Sequence, residues 1–146
     1  MQTKIKTTLI ILTTLTLLIL AISFALKLIY DKNNEQTSLE KAISIIDGDT
    51  FDTASGERVR LLCVDTPEIG DKGYEEASAY LSALILGKDV TIKREGLDKY
   101  NRTLAWISID IEVGVREYNV LVNKAIVDNG FGEIFEYGKT NCNRME

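Results

Sequence analysis

Residues 58–67 have the sequence RVRLLCVDTP, in which a β-prone apolar run ends abruptly at a proline. Proline has no N–H to donate to a sheet, so the strand that this run forms must stop before the proline. Two shorter β-prone runs, 42–46 and 50–53, precede it, and the turn signals at 47–49 and 55–56 separate the three. The folded part of the chain therefore opens with a three-stranded meander.

The remainder of the chain alternates between the two types of periodicity. Apolar residues recur at three- and four-residue steps over 74–85, which predicts a helix. Further strands are expected at 89–94, 104–110 and 115–120, and a short helix at 121–129. This order predicts an α+β fold, mainly β, with an antiparallel sheet. A small closed barrel with helices packed outside it is the architecture that we expect.

The N-terminus differs in composition from the rest of the chain. Residues 7–26 carry no charge and consist mainly of Leu, Ile, Thr and Ala, with lysines on both sides. As a helix, this run would extend about 30 Å, enough to cross a bilayer. We interpret residues 1–30 as a transmembrane anchor or a cleaved signal peptide, 31–40 as a polar linker, and 41–146 as one folded domain. Either interpretation of the N-terminus places the domain outside the cytoplasm, membrane-anchored or secreted.

Composition excludes several kinds of active site. The chain has no histidine and only two cysteines, so histidine-based catalysis, His-ligated zinc and an all-cysteine zinc site are ruled out. A catalytic base must then be a carboxylate, Lys, Tyr or Cys. The net charge of −5 is also unfavourable for long-range attraction of a polyanion. A nucleic acid would have to be held by a local basic patch, for which Lys93, Arg94, Lys99 and Arg102 are the candidates.

Cys63 lies within an apolar run, where we expect a buried and inert thiol. Pairing with Cys142 outside the cell is the alternative, but the sequence gives no distance between them.

Four runs in the chain resemble, in order, motifs of the staphylococcal nuclease (thermonuclease) family. They are IDGDT (46–50), RLLCVDTPE (60–68), DKYNR (98–102) and VNKA (122–125), and the helix start EEASA (75–79) matches as well. The resemblance implies a five-stranded OB-fold barrel with flanking helices. It also implies calcium-dependent hydrolysis of phosphodiester bonds in DNA or RNA, by a domain that we expect to act as a monomer.

The resemblance assigns the metal ligands to Asp49, Asp65 and the main-chain carbonyl of Thr66. Two carboxylates and a carbonyl are hard oxygen donors that suit Ca²⁺, although so few protein ligands should bind it weakly. Either aspartate could instead serve only to form a turn. Asp47 could hold a coordinated water or be a turn residue as well.

The resemblance assigns catalysis to Glu68, Arg60 and Arg102. Glu68 matches the residue that orients or deprotonates the attacking water, a role worth about 10²–10⁴ in rate. The two arginines match groups that stabilise the transition state, and a guanidinium presents to phosphate a planar fork that lysine lacks. Lys99 and Tyr100 match residues that contact a terminal phosphate of the nucleotide. They could also be ordinary residues of a polar loop.

Three departures from the family pattern bear on function. The loop 69–73 is short and not basic, Asn101 replaces a glycine, and the long C-terminal helix of the family is missing. The late aromatic residues Phe135 and Tyr137 could take the place of base-stacking tyrosines. Two alternatives to a nuclease therefore stay open: a noncatalytic OB-fold module that binds nucleic acid or protein, and a defunct domain destabilised by the missing helix.

Overall fold

The computed structural model describes residues 2–136 and 141–145, with the backbone alone for residues 2–11 and 31–35. The chain divides into two units, Met1–Glu35 and Gln36–Glu146. The first unit contains a single helix, α1 (Gln2–Glu35). Its segment Leu12–Tyr30 has a mean hydropathy of 2.2 over 19 residues and is not buried against protein. The predicted N-terminal hydrophobic helix is confirmed, and it is long and apolar enough to cross a membrane.

The second unit is built on a closed barrel. Its elements are β1 (Thr37–Ile45), β2 (Thr50–Thr53), β3 (Arg58–Leu61), β4 (Val64–Asp65), α2 (Tyr74–Ile85), β5 (Asp89–Leu97), β6 (Thr103–Val113), β7 (Arg116–Leu121), α3 (Val122–Asp128), β8 (Glu133–Ile134) and a 3₁₀ helix (Asn143–Met145). The main sheet has the order β3-β2-β1-β5-β6-β7, and a parallel pairing of β3 with β6 closes it. The predicted five-stranded barrel with flanking helices is confirmed.

The barrel interior is filled by alternate residues of its strands. Phe51, Val59, Val90, Ile92 and Ile107 are fully buried there. Helix α2 contributes Ala77, Leu81 and Ile85, whose four-residue spacing places all three on one face. This packing fixes the barrel against α2.

Strand β1 begins earlier than the composition indicated. Helix α1 continues to Glu35 and β1 starts at Thr37, so residues 31–40, where we expected a polar linker, lie mostly in regular structure. Residues 37–41 pair antiparallel with residues 89–93 of β5. The partner strand therefore extends β1 into a run of polar residues that has little strand signal by itself.

The C-terminal segment is attached to the barrel by a disulfide between Cys63 and Cys142, whose Cα atoms are 5.7 Å apart. Cys63 is buried, as expected, but the prediction of an inert free thiol is wrong. Met145 is buried beyond the disulfide, and its carbonyl accepts a hydrogen bond of 2.7 Å from Nζ of Lys124. The disulfide and the 3₁₀ helix thus hold this segment, which lacks the long terminal helix of the family, against α3.

The turn between β3 and β4, residues 62–63, is buried and is held in place by a side chain of α3. Asn123 of α3 is fully buried, and its side chain donates to the carbonyls of Leu62, at 2.8 Å, and Ala105, at 3.1 Å. Its Oδ1 accepts the N–H of Ile107 at 2.8 Å. One amide thereby links the turn to β6 and fixes the direction in which β4 leaves the barrel.

Candidate active site

The turn between β1 and β2 places Asp49 within hydrogen-bonding distance of Thr66, the residue that follows β4. Asp47 accepts the N–H of Asp49 at 3.0 Å, and this hydrogen bond forms the turn. Burial raises the pKa of the Asp47 carboxyl, and this effect exceeds the lowering by Thr50 and Arg60. Asp49 is only 3% exposed. Its Oδ2 accepts both the N–H of Thr66, at 3.1 Å, and the hydroxyl of Thr66, at 3.0 Å. Asp49 and Thr66, 17 residues apart in the chain, thus belong to one cluster.

Arg60 lies between the two aspartates that were predicted as metal ligands. It is 4% exposed, and one terminal nitrogen of its guanidinium contacts Asp49. The other donates to Oδ1 of Asp65 at 2.8 Å. A positive charge therefore already bridges the two carboxylates.

Two glycines leave room for the Asp65–Thr66 peptide. A Cβ added to Gly48 would lie 2.6 Å from Cβ of Ala77 and 2.8 Å from Oγ1 of Thr66. A Cβ added to Gly132 would lie 2.7 Å from the carbonyl oxygen of Asp65. Both approaches are closer than real Cβ contacts allow, so a larger residue would displace the Thr66 side chain at the first position and the Asp65 carbonyl at the second.

The loop between β5 and β6 presents Arg102. Asp98 accepts the Arg102 side chain at 2.7 Å through Oδ2, and the N–H groups of Tyr100 and Arg102 at 2.8 and 2.9 Å through Oδ1. The pKa of Asp98 lies below its ordinary value. Burial by itself would raise this pKa, but the hydrogen bonds from Arg102 and Tyr100 lower it by more. Asn101 adopts a positive φ of 63°, which explains why asparagine can replace a glycine there.

Six of the eight predicted site residues line one cavity of about 700 Å³, which we call the arginine cavity. They are Arg60, Asp65, Glu68, Lys99, Tyr100 and Arg102. Tyr100 is 67% exposed, and its ring lies 4.8 Å from Nζ of Lys99 and 5.3 Å from the guanidinium carbon of Arg102. With Asp98, Phe135 and Glu136, which also line it, the cavity combines two guanidiniums, an ammonium, two aromatic rings and four carboxylates.

A second cavity of about 850 Å³ adjoins the first, and we call it the acidic cavity. It shares Asp65, Glu68 and Phe135 with the arginine cavity. Its other lining residues include Thr66, Asp71, Lys72, Glu76, Phe131, Glu133 and Ile134. Glu68 is an exposed side chain at the boundary between the two cavities.

The predicted ligands fit a calcium ion by their chemistry. No group of three or more acidic, histidine or cysteine side chains that could hold a metal occurs within the described residues. Asp49, Asp65 and Thr66 nevertheless form a compact set of hard oxygen donors. The guanidinium of Arg60 lies between Asp49 and Asp65, so an ion held by these two carboxylates would take the place of that internal cation.

The structure brings together most of what the sequence predicted, and it adds residues that the sequence did not single out. Arg94 was predicted to belong to the local basic patch. Its guanidinium instead donates to the Glu57 carboxylate at 2.6 and 2.8 Å, and Arg94 does not line the arginine cavity. Asp98 was missed, although its four-residue spacing from Arg102 was a usable signal. Gly48 and Gly132 carried no such signal. Phe135 lines both cavities, whereas Tyr137 lies outside the described residues.

Comparison with known proteins finds three relatives of similar sequence. Protein ParB of Escherichia coli is 30% identical over 101 residues, which is 66% of this chain and 57% of that protein. Micrococcal nuclease of Shigella flexneri is 28% identical over 101 residues, covering 66% and 58%. An uncharacterized endonuclease of Haemophilus influenzae is 35% identical over 69 residues, covering 44% and 39%.

The chain spans less than two thirds of the length of each of these relatives. The family profile described as "Staphylococcal nuclease homologue" matches residues 58–146, a range that contains β3, β4, Glu68 and the Arg102 loop. The chain belongs to the staphylococcal nuclease family.

Proposed function

We propose that this chain is a calcium-dependent nuclease that hydrolyses phosphodiester bonds of DNA, RNA or both. The observation that carries the proposal is the arginine cavity, in which Arg60, Glu68 and Arg102 face the same space. A phosphodiester needs positive charge at its oxygens and a base for the attacking water, and these three side chains supply both.

Each of the three side chains has a role that its surroundings support. Arg60 and Arg102 would donate to the phosphate oxygens, where two guanidiniums oppose the charge that develops in the transition state. Asp98 accepts a hydrogen bond from Nε of Arg102, which positions this side chain at the arginine cavity. Glu68 would orient the water and accept its proton, and the leaving oxygen would be the 5′-oxygen that the family resemblance implies.

Calcium would be held by Asp49, Asp65 and the carbonyl of Thr66. When bound there, it would neutralise charge on the phosphate and help to orient it. Lys99 and Tyr100, which also line the arginine cavity, would contact a further phosphate of the substrate.

The test is hydrolysis of single-stranded DNA and of RNA by the full chain in detergent, with calcium or with a chelator. We expect cleavage that depends on calcium and falls by about 10²-fold or more in Glu68→Gln and in Arg102→Lys. Glu117→Gln and Arg116→Lys, which alter exposed residues of β7, are the matched controls and should keep full activity. Calcium-independent binding of nucleic acid without turnover would instead identify a noncatalytic module.

We further propose that the domain acts outside the cytoplasm, anchored by α1 or released after cleavage of a signal. The disulfide supports this location because such bonds persist in oxidising compartments. Fractionation of cells with mass spectrometry of the N-terminus would test it. An intact N-terminus in the membrane fraction identifies an anchor, a shortened soluble form identifies a signal peptide, and a reduced cytoplasmic form contradicts the proposal.

A further inference from the structure

The two cavities meet at the residue proposed to activate water. Glu68, Asp65 and Phe135 line both of them. A phosphodiester joins two nucleosides, so a substrate whose phosphate lies beside Glu68 must extend in two directions. One nucleoside then lies in the arginine cavity and the other in the acidic cavity.

The two cavities differ in charge. The arginine cavity contains three cationic side chains, those of Arg60, Lys99 and Arg102. Asp98 and Glu136 are added there to the two shared carboxylates, and Asp98 is paired with Arg102. Lys72 is the one cation among the described residues that line the acidic cavity, where Asp71, Glu76 and Glu133 are added to the two shared carboxylates. Asp71, Glu76 and Glu133 make no ion pair with any described residue, and all three are exposed. Their charges are therefore not neutralised locally.

The acidic cavity still offers favourable contacts to the uncharged part of a nucleotide. Phe131, Ile134 and Phe135 supply apolar and aromatic surface, against which a base can pack. Carboxylates accept hydrogen bonds from the amino groups of bases and from sugar hydroxyls. A phosphate in the same place would be repelled by three carboxylates.

From this contrast we infer that the acidic cavity takes a terminal nucleoside that carries no further phosphate. The inference rests on the proposed function and defines its substrate class: a strand with an unphosphorylated end, cleaved at the bond next to that end. Internal bonds would be poor substrates, because the strand beyond the scissile bond would place phosphates among Asp71, Glu76 and Glu133.

The experiment compares one single-stranded DNA oligonucleotide with hydroxyl groups at both ends and the same oligonucleotide phosphorylated at both ends. The full chain in detergent is assayed with calcium at low and at high ionic strength. We expect kcat/KM to be about tenfold lower for the phosphorylated strand at low salt, and the difference to shrink at high salt as the carboxylates are screened.

A triple variant assigns the effect to the acidic cavity. Asp71→Asn, Glu76→Gln and Glu133→Gln together should bring the two substrates to equal kcat/KM. The control triple variant, Asp89→Asn, Glu112→Gln and Glu117→Gln, makes the same change in charge at exposed strand positions. It should keep the tenfold difference.

Three results are distinguishable from the expected one. Equal rates for the two substrates with the unmodified protein would overturn the inference while leaving the nuclease proposal intact. A difference that persists in the cavity variant, or that disappears in the control, would also overturn it. If neither substrate is hydrolysed, the proposed function itself fails, and the inference fails with it.

Discussion

Nη2 of Arg60 donates to Oδ1 of Asp65 at 2.8 Å, while the other terminal nitrogen of the same guanidinium contacts Asp49. A residue predicted to bind the phosphate therefore lies between two residues predicted to bind the metal. Guanidinium and calcium would compete for the same carboxylates. Entry of the ion would direct the arginine towards the substrate.

This competition predicts opposite effects of Arg60→Gln on metal binding and on catalysis. Removing the positive charge should tighten calcium binding by roughly tenfold, because the aspartates lose their internal partner. Hydrolysis should fall by about 10²–10³, because the phosphate loses a donor. Calorimetric titration with calcium and measurement of kcat test the two effects separately. The control is Arg58→Gln, two residues before Arg60, which removes an exposed ion pair with Asp52 and should change neither calcium affinity nor kcat. Weaker calcium binding in Arg60→Gln would contradict the competition.

Asp98 is predicted to act by positioning Arg102. Asp98→Asn keeps the size of the side chain but weakens its charged hydrogen bond to Nε of Arg102. We expect kcat/KM to fall by about 10–100-fold, since small misplacements of a catalytic group are costly. Calcium affinity should be unchanged, because Asp98 contacts none of the proposed ligands. Asp110→Asn, at an exposed aspartate that accepts from Asn119, is the control. An unaltered kcat/KM in Asp98→Asn would show that the loop holds Arg102 without it.

The close approach at Gly48 predicts a coupled loss of stability and metal binding. Gly48→Ala would force its Cβ against Thr66 and Ala77, and overpacking of this kind costs about 1–3 kcal/mol of unfolding free energy. Because Thr66 is displaced, calcium should also bind more weakly. Gly56→Ala is a suitable control: its positive φ of 87° makes it strained, yet its Cβ would meet nothing within 4 Å. It should lower stability without changing calcium affinity, and a Gly48→Ala protein with normal calcium affinity would contradict the prediction.

Glu57 predicts a specific loss of stability in acid. Hydrogen bonds from Arg94 lower the pKa of Glu57, against the effect of burial, and Thr103 adds a bond of 2.6 Å. A carboxylate with a depressed pKa stabilises the fold above its ordinary pKa, and this contribution is lost as the pH falls through the folded value. Glu57→Gln should lose about 1–2 kcal/mol at neutral pH and show less further loss on acidification. Denaturant unfolding from pH 7 to 3 measures this, with Glu112→Gln, at an exposed position of β6, as the control. Parallel pH profiles for Glu57→Gln and the unmodified protein would refute it.

Most strands and helices could be predicted because their signals are local, whereas the closed five-stranded barrel was predicted through the family resemblance. The end of β4 is set by the proline at 67, and the face of α2 by the spacing of Ala77, Leu81 and Ile85. The turn at residues 62–63, which divides the predicted strand into β3 and β4, was not predicted. The grouping of Asp49, Arg60 and Arg102 was predicted only through the family resemblance, since no local pattern relates residues so far apart. The start of β1 was not predictable, because it depends on pairing with β5. The disulfide was left open for the same reason, since 79 residues separate its cysteines and their sequence carries no distance.

The disulfide should contribute strongly to stability. Cys142→Ser would remove a cross-link across 79 residues, and the loss of unfolding free energy should be about 2–5 kcal/mol. Reductant should lower the stability of the unmodified protein to the same level and leave the variant unchanged. Denaturant unfolding with and without reductant tests this, and equal stability under both conditions would contradict it.

Because Cys142 lies near the end of the chain, the disulfide can form only late in synthesis. A ribosome makes Asp49, Arg60, Glu68 and Arg102 well before it reaches Cys142. A nascent chain therefore already contains each of these reactive groups while Cys63 still has no partner. The disulfide that holds the segment with Asp65 therefore forms last, and it forms only after the polypeptide has reached an oxidising compartment.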